Sequence, residues 1–176
     1  MKPYYTCYLI GPIQDVVKPG MDHDENSWRK IFSRKAKSRG LPIKFIEPVV
    51  MEKTKTGLDV YKTHQLVNEA ILAADEEALH SYGSHIFSSN PSGDFWAVRQ
   101  SDFIVGLGRN AKISVGTSGE LALAADLQIP VIWVSPGGLS KIINFSEAFF
   151  VYKNKNFSKI VSTFTEALDY ITKIIF

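Results

Sequence analysis

Runs of apolar residues that alternate with amphipathic stretches predict an α/β fold for this chain. Strands are predicted by short runs rich in aromatic and β-branched residues, at 5–10, 43–46, 101–108, 129–134 and 148–152. Helices are predicted by apolar positions at helical spacing, at 26–39, 58–79, from about 90 onward, 115–127 and 156–174. This order predicts a doubly wound, flavodoxin-like sheet of five largely parallel strands with helices on both faces.

Two stretches interrupt the pattern before the third strand. Residues 51–57 are polar and include a glycine, which is typical of a mobile loop. Residues 81–93 are rich in turn formers, and Asn90-Pro-Ser has the pattern of a helix start. Asp94 would then lie in the first helical turn, where the helix dipole favours an acid.

Composition narrows the class of protein. With 176 residues, 45% of them hydrophobic, the chain fits a single domain over 1–176. A formal net charge of +2 with dispersed basic residues argues against a nucleic acid polymer as partner, and no apolar run approaches the length of a membrane span. Cys7 is the only cysteine, so we expect a buried thiol and a cytoplasmic location. Asp22, His23 and Asp24 are adjacent, and adjacent positions rarely converge on one metal ion.

The candidate chemistry centres on Glu120. It lies in a Gly-rich turn between the predicted strand 101–108 and the predicted helix 115–127, where ligands bind in sheets of this kind. The pattern alone leaves two interpretations open. Glu120 is either a functional carboxylate or an acid that complements the helix dipole, in a first turn capped by Thr117 or Ser118.

Three segments resemble the nucleoside 2-deoxyribosyltransferase superfamily, which includes the 2'-deoxynucleoside 5'-phosphate N-hydrolases. Gly-Thr-Ser-Gly-Glu-Leu-Ala-Leu-Ala, at 116–124, is similar to the family's nucleophile motif. Tyr-Leu-Ile-Gly-Pro-Ile-Gln, at 8–14, resembles its opening strand and loop, and the segment 94–102 resembles its acidic helix. The resemblance covers roughly residues 5–135.

This resemblance implies roles for individual residues. Glu120 would attack the anomeric carbon of the sugar, Asp94 would exchange a proton with the base, and Tyr8 would hold the Glu120 carboxylate in line. The implied substrate-binding residues are Gly11, Gln14, Ser114, Gly116, Thr117, Ser118 and Asn144. Some transferases have an aspartate where this chain has Ser114, whereas the nucleotide N-hydrolases have a serine, which favours a phosphorylated substrate. Asn144 resembles a position that reaches into a neighbouring subunit's pocket, so we expect a homodimer or larger homo-oligomer.

The predicted function is cleavage of the N-glycosidic bond of a 2'-deoxynucleoside or 2'-deoxynucleotide. The sugar would pass through a covalent ester of Glu120 to another base or to water, without a metal or an organic cofactor. The alternative is a non-catalytic nucleotide-binding or interaction domain that retains the fold, because fold alone does not confer function. Arg29 is assigned no catalytic role. Gly106 and Gly108 do not complete a dinucleotide-binding fingerprint.

Overall fold

A computed structural model of the protein describes residues 3–11, 27–47, 60–108, 115–138, 145–153 and 157–175. The strands are β1 (Tyr5–Ile10), β2 (Ile43–Ile46), β3 (Phe103–Leu107), β4 (Val131–Val134) and β5 (Lys159–Val161). The helices are α1 (Trp28–Ser38), α2 (Val60–Leu72), α3 (Glu76–Gln100), α4 (Val115–Asp126), α5 (Phe145–Lys153) and α6 (Phe164–Ile175).

The strands form one parallel sheet in the order β2-β1-β3-β4-β5. Helices pack on both faces, so the predicted doubly wound, flavodoxin-like fold is confirmed. Among the described residues, no helix combines the length and the apolar composition that crossing a bilayer requires.

Successive side chains of each central strand point alternately into two hydrophobic cores, one on each face of the sheet. On β1, Cys7 and Leu9 face the core that includes α1 and α6. Tyr8 and Ile10 face the other core, to which α3, α4 and α5 contribute. Because both faces are covered, the central strands β3 and β4 are apolar along their whole length, and β1 is apolar except for Thr6, rather than at every second position.

The ends of the first helices follow from local chemistry. Ser27 caps α1 by accepting a hydrogen bond from the backbone N–H of Lys30, and Gly40 follows the helix at a positive φ that favours glycine. Asp75 caps α3 in the same way, through the N–H of Ala78. The break at 73–75 therefore divides the predicted helix 58–79 into α2 and the start of α3.

Two sequence predictions near the C-terminus are wrong. The aromatic run 148–152 was predicted as the last strand because of its β propensity, but it belongs to α5. The fifth strand is instead Lys159–Val161, inside the region predicted as helix 156–174, and α6 begins at Phe164. Ser162 and Thr163, the two polar residues before α6, take part in capping its N-terminus. Thr163 accepts a hydrogen bond from the N–H of Glu166, and the Glu166 carboxylate accepts one from the N–H of Ser162.

The predicted turn at 81–93 is also wrong. The backbone of α3 continues through this stretch, so Asp94 lies in the penultimate turn of a long helix rather than in the first turn of a short one. The helix is held by packing, because Ala97 and Val98 are buried against the sheet and α3 also contacts α2 and α4. Asp94 is therefore not positioned to complement the N-terminal end of a helix dipole.

The two edge strands are short and each carries an exposed lysine. Lys44 on β2 lies over the ring of Tyr4, with 3.4 Å between its Nζ and the ring centroid. Lys159 on β5 lies over the ring of Tyr170, at 4.9 Å. These contacts hold the positively charged side chains at the two edges of the sheet.

Candidate active site

The structure brings Tyr8, Asp94 and Glu120 together on one face of the sheet. Tyr8 comes from the middle of β1, Asp94 from α3 and Glu120 from the second turn of α4. This is the region between β1 and β3, where consecutive connections leave the sheet on opposite faces. Doubly wound folds bind their ligands at such a switch point.

A single phenol joins the two carboxyl groups. The Oη of Tyr8 lies 2.8 Å from Oδ1 of Asp94 and 2.6 Å from Oε1 of Glu120, both within hydrogen-bonding distance. Tyr8 is fully buried and Glu120 is 6% exposed, whereas Asp94 lies at the boundary between core and surface. The three side chains thus form a line of hydrogen-bonded oxygens that runs from the surface into the core.

The close approach of two helices sets this geometry. The ring of Phe95 on α3 packs over Gly119 on α4, where an added Cβ would lie 3.7 Å from the ring. Asp94 and Glu120 are the sequence neighbours of these two residues, so the contact fixes both carboxyl groups beside β1. Thr117, one turn earlier on α4, is buried as well.

Glu120 is not a helix cap. Because α4 begins at Val115, Thr117 and Ser118 lie inside its first turn and Glu120 lies beyond it. Burial, reinforced by the charge of Asp94, raises the pKa of Glu120 to about 8, while the hydrogen bond from Tyr8 and the charge of Arg29 act in the opposite direction. A buried carboxyl with a displaced pKa is typical of a functional site.

Tyr8 remains a neutral phenol. Burial, followed by the negative charges of Glu120 and Asp94, raises its pKa well above the usual value for a tyrosine. Its side chain is therefore available as a hydrogen-bond donor and acceptor throughout the neutral range, and not as a phenolate.

Sequence reasoning missed the part that Arg29 takes in this site. Its side chain is 6% exposed and donates hydrogen bonds to the backbone carbonyls of Leu9 and Gly11, at 3.3 and 3.0 Å. Burial lowers the pKa of Arg29, but an arginine remains charged at neutral pH, and that charge acts on Glu120. The signal in the sequence was an arginine in the first turn of a helix, where the dipole disfavours a cation, beside the apolar residues Trp28 and Phe32.

Gly11 has a role in packing. It ends β1 at a φ of +152°, and a Cβ there would lie 3.1 Å from the backbone oxygen of Leu107 and 3.4 Å from the Trp28 ring. Its carbonyl is also one of the two that accept hydrogen bonds from Arg29. The predicted substrate contact of Gly11 remains a prediction.

The remaining predicted residues divide into two groups. Gly116 is exposed and Ser118 half-buried at the start of α4, near the carboxyl end of β3. Gln14, Ser114 and Asn144 lie outside the described residues, as do Asp22, His23 and Asp24. Within the described part of the chain, no three His, Cys, Asp or Glu side chains gather as metal ligands would.

Asp102 has a separate, structural contact. Its carboxylate accepts a hydrogen bond from the backbone N–H of Thr6, at 2.9 Å, and its own N–H donates to the carbonyl of Thr6. Asp102 therefore ties the beginning of β3 to β1.

Beneath the site, β3 approaches β4 through a glycine. Gly106 is paired with Ile10 on one side and with Trp133 on the other, and the buried indole of Trp133 occupies the space that a Cβ on Gly106 would need. The floor of this face is consequently a large rigid ring rather than a set of small side chains.

Two comparisons with known proteins find no relative of this chain. A scan against protein-family models gives no match for the chain, and a search of curated proteins gives no significant match.

Proposed function

We propose that this protein cleaves the N-glycosidic bond of 2'-deoxynucleosides or 2'-deoxynucleotides through a covalent glutamyl-deoxyribosyl intermediate. The observation that carries the proposal is the pair of carboxyl groups joined by one buried phenol. The resemblance of three sequence segments to the nucleoside 2-deoxyribosyltransferase superfamily supports the choice of substrate class.

The spacing of the two acids favours a covalent mechanism. Because Oδ1 of Asp94 and Oε1 of Glu120 lie 2.8 and 2.6 Å from the same phenol oxygen, these two oxygens are at most about 5.4 Å apart, which is close to the carboxyl separation of about 5–5.5 Å in retaining glycosidases. Inverting enzymes need roughly 6.5 Å or more, so that a water molecule fits between the acid and the base. The short separation therefore favours a retaining mechanism, in which one carboxylate of the pair acts as the nucleophile, over an inverting one.

In the proposed reaction, an ionised Glu120 attacks C1' of the sugar while Asp94 gives its proton to the departing base. The C1'–N bond breaks and its electron pair leaves with the base. A second base or water then attacks C1', Asp94 accepts the proton of this acceptor, and the Glu120 ester breaks. The more exposed Asp94 lies on the side from which a base can enter and leave, whereas Glu120 is buried.

Two further features of the site support substrate binding. The N-terminus of α4 offers backbone N–H groups to a hydroxyl or to a 5'-phosphate, together with Ser118 and Thr117. The buried cation Arg29 offsets the negative charge of the two acids. No metal or organic cofactor takes part in the proposed reaction.

The proposal includes a homo-oligomer and a cytoplasmic location. Trp96 is 52% exposed on α3, two residues from Asp94, so a partner subunit that covers it would lie beside the site. Cys7, the one cysteine of the sequence, is buried, which suits a reducing compartment. Size-exclusion chromatography with light scattering tests the assembly, and a fully active monomer at micromolar concentration would contradict it.

The activity is tested by incubating the protein with the common deoxynucleosides and their 5'-monophosphates and measuring free base by chromatography. Glu120→Ala should lower base release by several orders of magnitude, because the removed group is the nucleophile. Asp126→Ala, which removes an exposed acid from the same helix, is the matched control. Circular dichroism verifies that both variants fold.

Two outcomes would contradict the proposal. A Glu120→Ala variant that keeps more than about a tenth of the wild-type rate would remove Glu120 from the mechanism. Binding of nucleotides by the wild type without release of base would favour the non-catalytic nucleotide-binding domain instead.

A further inference from the structure

The short contacts around Tyr8 bear on how many protons the two acids hold. Three oxygens, those of Asp94, Tyr8 and Glu120, are joined by two contacts of 2.8 and 2.6 Å. Each hydrogen bond needs one proton, and a phenol supplies only one. A phenol proton that points at one carboxyl oxygen leaves the other short contact without a proton, so the geometry favours a second proton on one of the two acids.

The charges that face this pair agree with a single retained proton. Arg29 of α1 is the buried cation nearby, and Glu47, which follows β2, is a further acid whose charge acts on Arg29. With one proton on the pair, the charge of −1 on Asp94 and Glu120 is balanced by Arg29. With no proton, two negative charges would be held in a site from which most water is excluded, an unfavourable state.

We infer that Tyr8 carries the proton of the acid pair between Glu120 and Asp94, so that ionising the nucleophile protonates the acid that serves the leaving base. The inference rests on the proposed function for its role in catalysis, and on the contacts of Tyr8 for the path. Glu120 is almost completely buried, and Tyr8 lies between it and the partly exposed Asp94.

The transfer conserves atoms and charge. The carboxyl proton of Glu120 moves to the Oη of Tyr8, while the original phenol proton moves from Oη to Oδ1 of Asp94. Tyr8 ends as a neutral phenol, Glu120 as a carboxylate and Asp94 as a carboxylic acid. After the base has taken the proton of Asp94, the attacking water returns one to it, and the pair again holds a single proton.

A titration of the unliganded protein tests the shared proton without reference to activity. Carboxyl carbons of ¹³C-labelled aspartate and glutamate are followed by NMR, with the signals assigned from Asp94→Asn and Glu120→Gln. We expect the two carboxyl groups to hold one proton together at pH 7 and to release it near pH 8. Two ionised or two protonated carboxyl groups at pH 7 would overturn the inference, whether or not the wild type releases base.

Tyr8→Phe tests the path of the proton, with Tyr5→Phe as the matched control. Tyr5 lies on the same strand and packs against the opposite core, so its variant should behave as the wild type. The substrate carries a chemically activated base that needs no proton from Asp94. Without the phenol, Glu120 keeps its proton, so the rate of the Tyr8→Phe variant should rise about tenfold per pH unit from pH 6 until Glu120 ionises.

The wild type should show a much shallower rise over the same range, because Tyr8 lets Glu120 ionise at constant total charge. A Tyr8→Phe variant slowed by the same factor at every pH would overturn the inference, since a hydroxyl that only orients Glu120 predicts that result. If the wild type releases no base from any substrate, the proposed function fails, and the NMR titration still decides whether the pair shares a proton.

Discussion

Replacing Glu120 with glutamine should stabilise the protein at neutral and alkaline pH while removing the proposed activity. Burial, together with the charge of Asp94, raises the pKa of Glu120 from its ordinary 4.5 to about 8. Between these two values the folded state keeps a proton that the unfolded state has released. The free energy of unfolding therefore falls as the pH rises through this window, and glutamine, which does not titrate, removes that dependence.

The size of the effect follows from the displacement of the pKa. One pH unit within the window corresponds to about 1.4 kcal/mol, so the difference between Glu120→Gln and wild type should be about 3 kcal/mol at pH 7. Above pH 8 it should level off at about 5 kcal/mol. Below about pH 4.5 Glu120 is protonated in both states, and the pH-dependent part of the difference disappears.

Urea unfolding of both proteins between pH 5 and pH 9 measures this difference. Groups that titrate outside the Asp94–Glu120 pair are common to the two proteins and cancel in the comparison. Asp126→Asn is the control, because it removes an exposed acid from the same helix and leaves the Tyr8 contacts intact. Parallel pH curves for the wild type and Glu120→Gln would refute the reasoning, since they would mean that folding does not displace the pKa of Glu120.

Three other variants test separate parts of the site. Asp94→Asn should slow the release of poor leaving bases most and recover much of its rate with an activated base, and rates for a graded series of bases check this. Arg29→Met removes the cation that lowers the pKa of Glu120, so the pKa of Glu120 in a ¹³C NMR titration should move above about 8. Gly106→Ala forces a methyl group against the Trp133 ring and should lower the free energy of unfolding by about 1–3 kcal/mol in urea, or prevent folding.

Most of the sheet could be predicted because its strands are buried on both faces. The runs that became β3 and β4 are continuously apolar, the run that became β1 is apolar except for Thr6, and all three end at glycine or polar residues, which is typical of buried parallel strands. The run 148–152 has the same composition but forms part of α5, where Val151 is buried and Phe149 is exposed. The local propensity of these aromatic residues favours a strand, but packing against α4, β4 and β5 stabilises a helix instead.

The strand β5 could not be predicted from hydrophobic periodicity, because its three residues are too few to show a pattern. The start of α6 did carry a signal, the Thr-Phe-Thr-Glu pattern of a capping box at 163–166. The continuation of α3 through turn-forming residues has no local cause in the sequence. It follows from the buried end of the helix around Ala97 and from its contacts with neighbouring helices.

The candidate site residues, and a contact of Tyr8 with the Glu120 carboxylate, were predicted through the family resemblance, but the contact of the same phenol with Asp94 was not. A tyrosine in a strand, an acid in a helix and a glutamate after a Gly-rich turn have no sequence pattern that brings them to one oxygen atom. That geometry depends on the pairing of β1 with β3 and on the contact between Phe95 and Gly119. The burial of Arg29 likewise depends on the end of β1, whose carbonyls it binds.

The lysines at the two ends of the sheet limit how copies of this chain can meet. An added strand would have to pair with only three or four residues and displace Lys44 or Lys159 from its aromatic ring. Charged, short edges of this kind resist the backbone pairing that leads to fibrous aggregates. Among the described surfaces, we therefore expect contacts between copies of the protein on helix faces, such as the one on which Trp96 is exposed, rather than at the edges of the sheet.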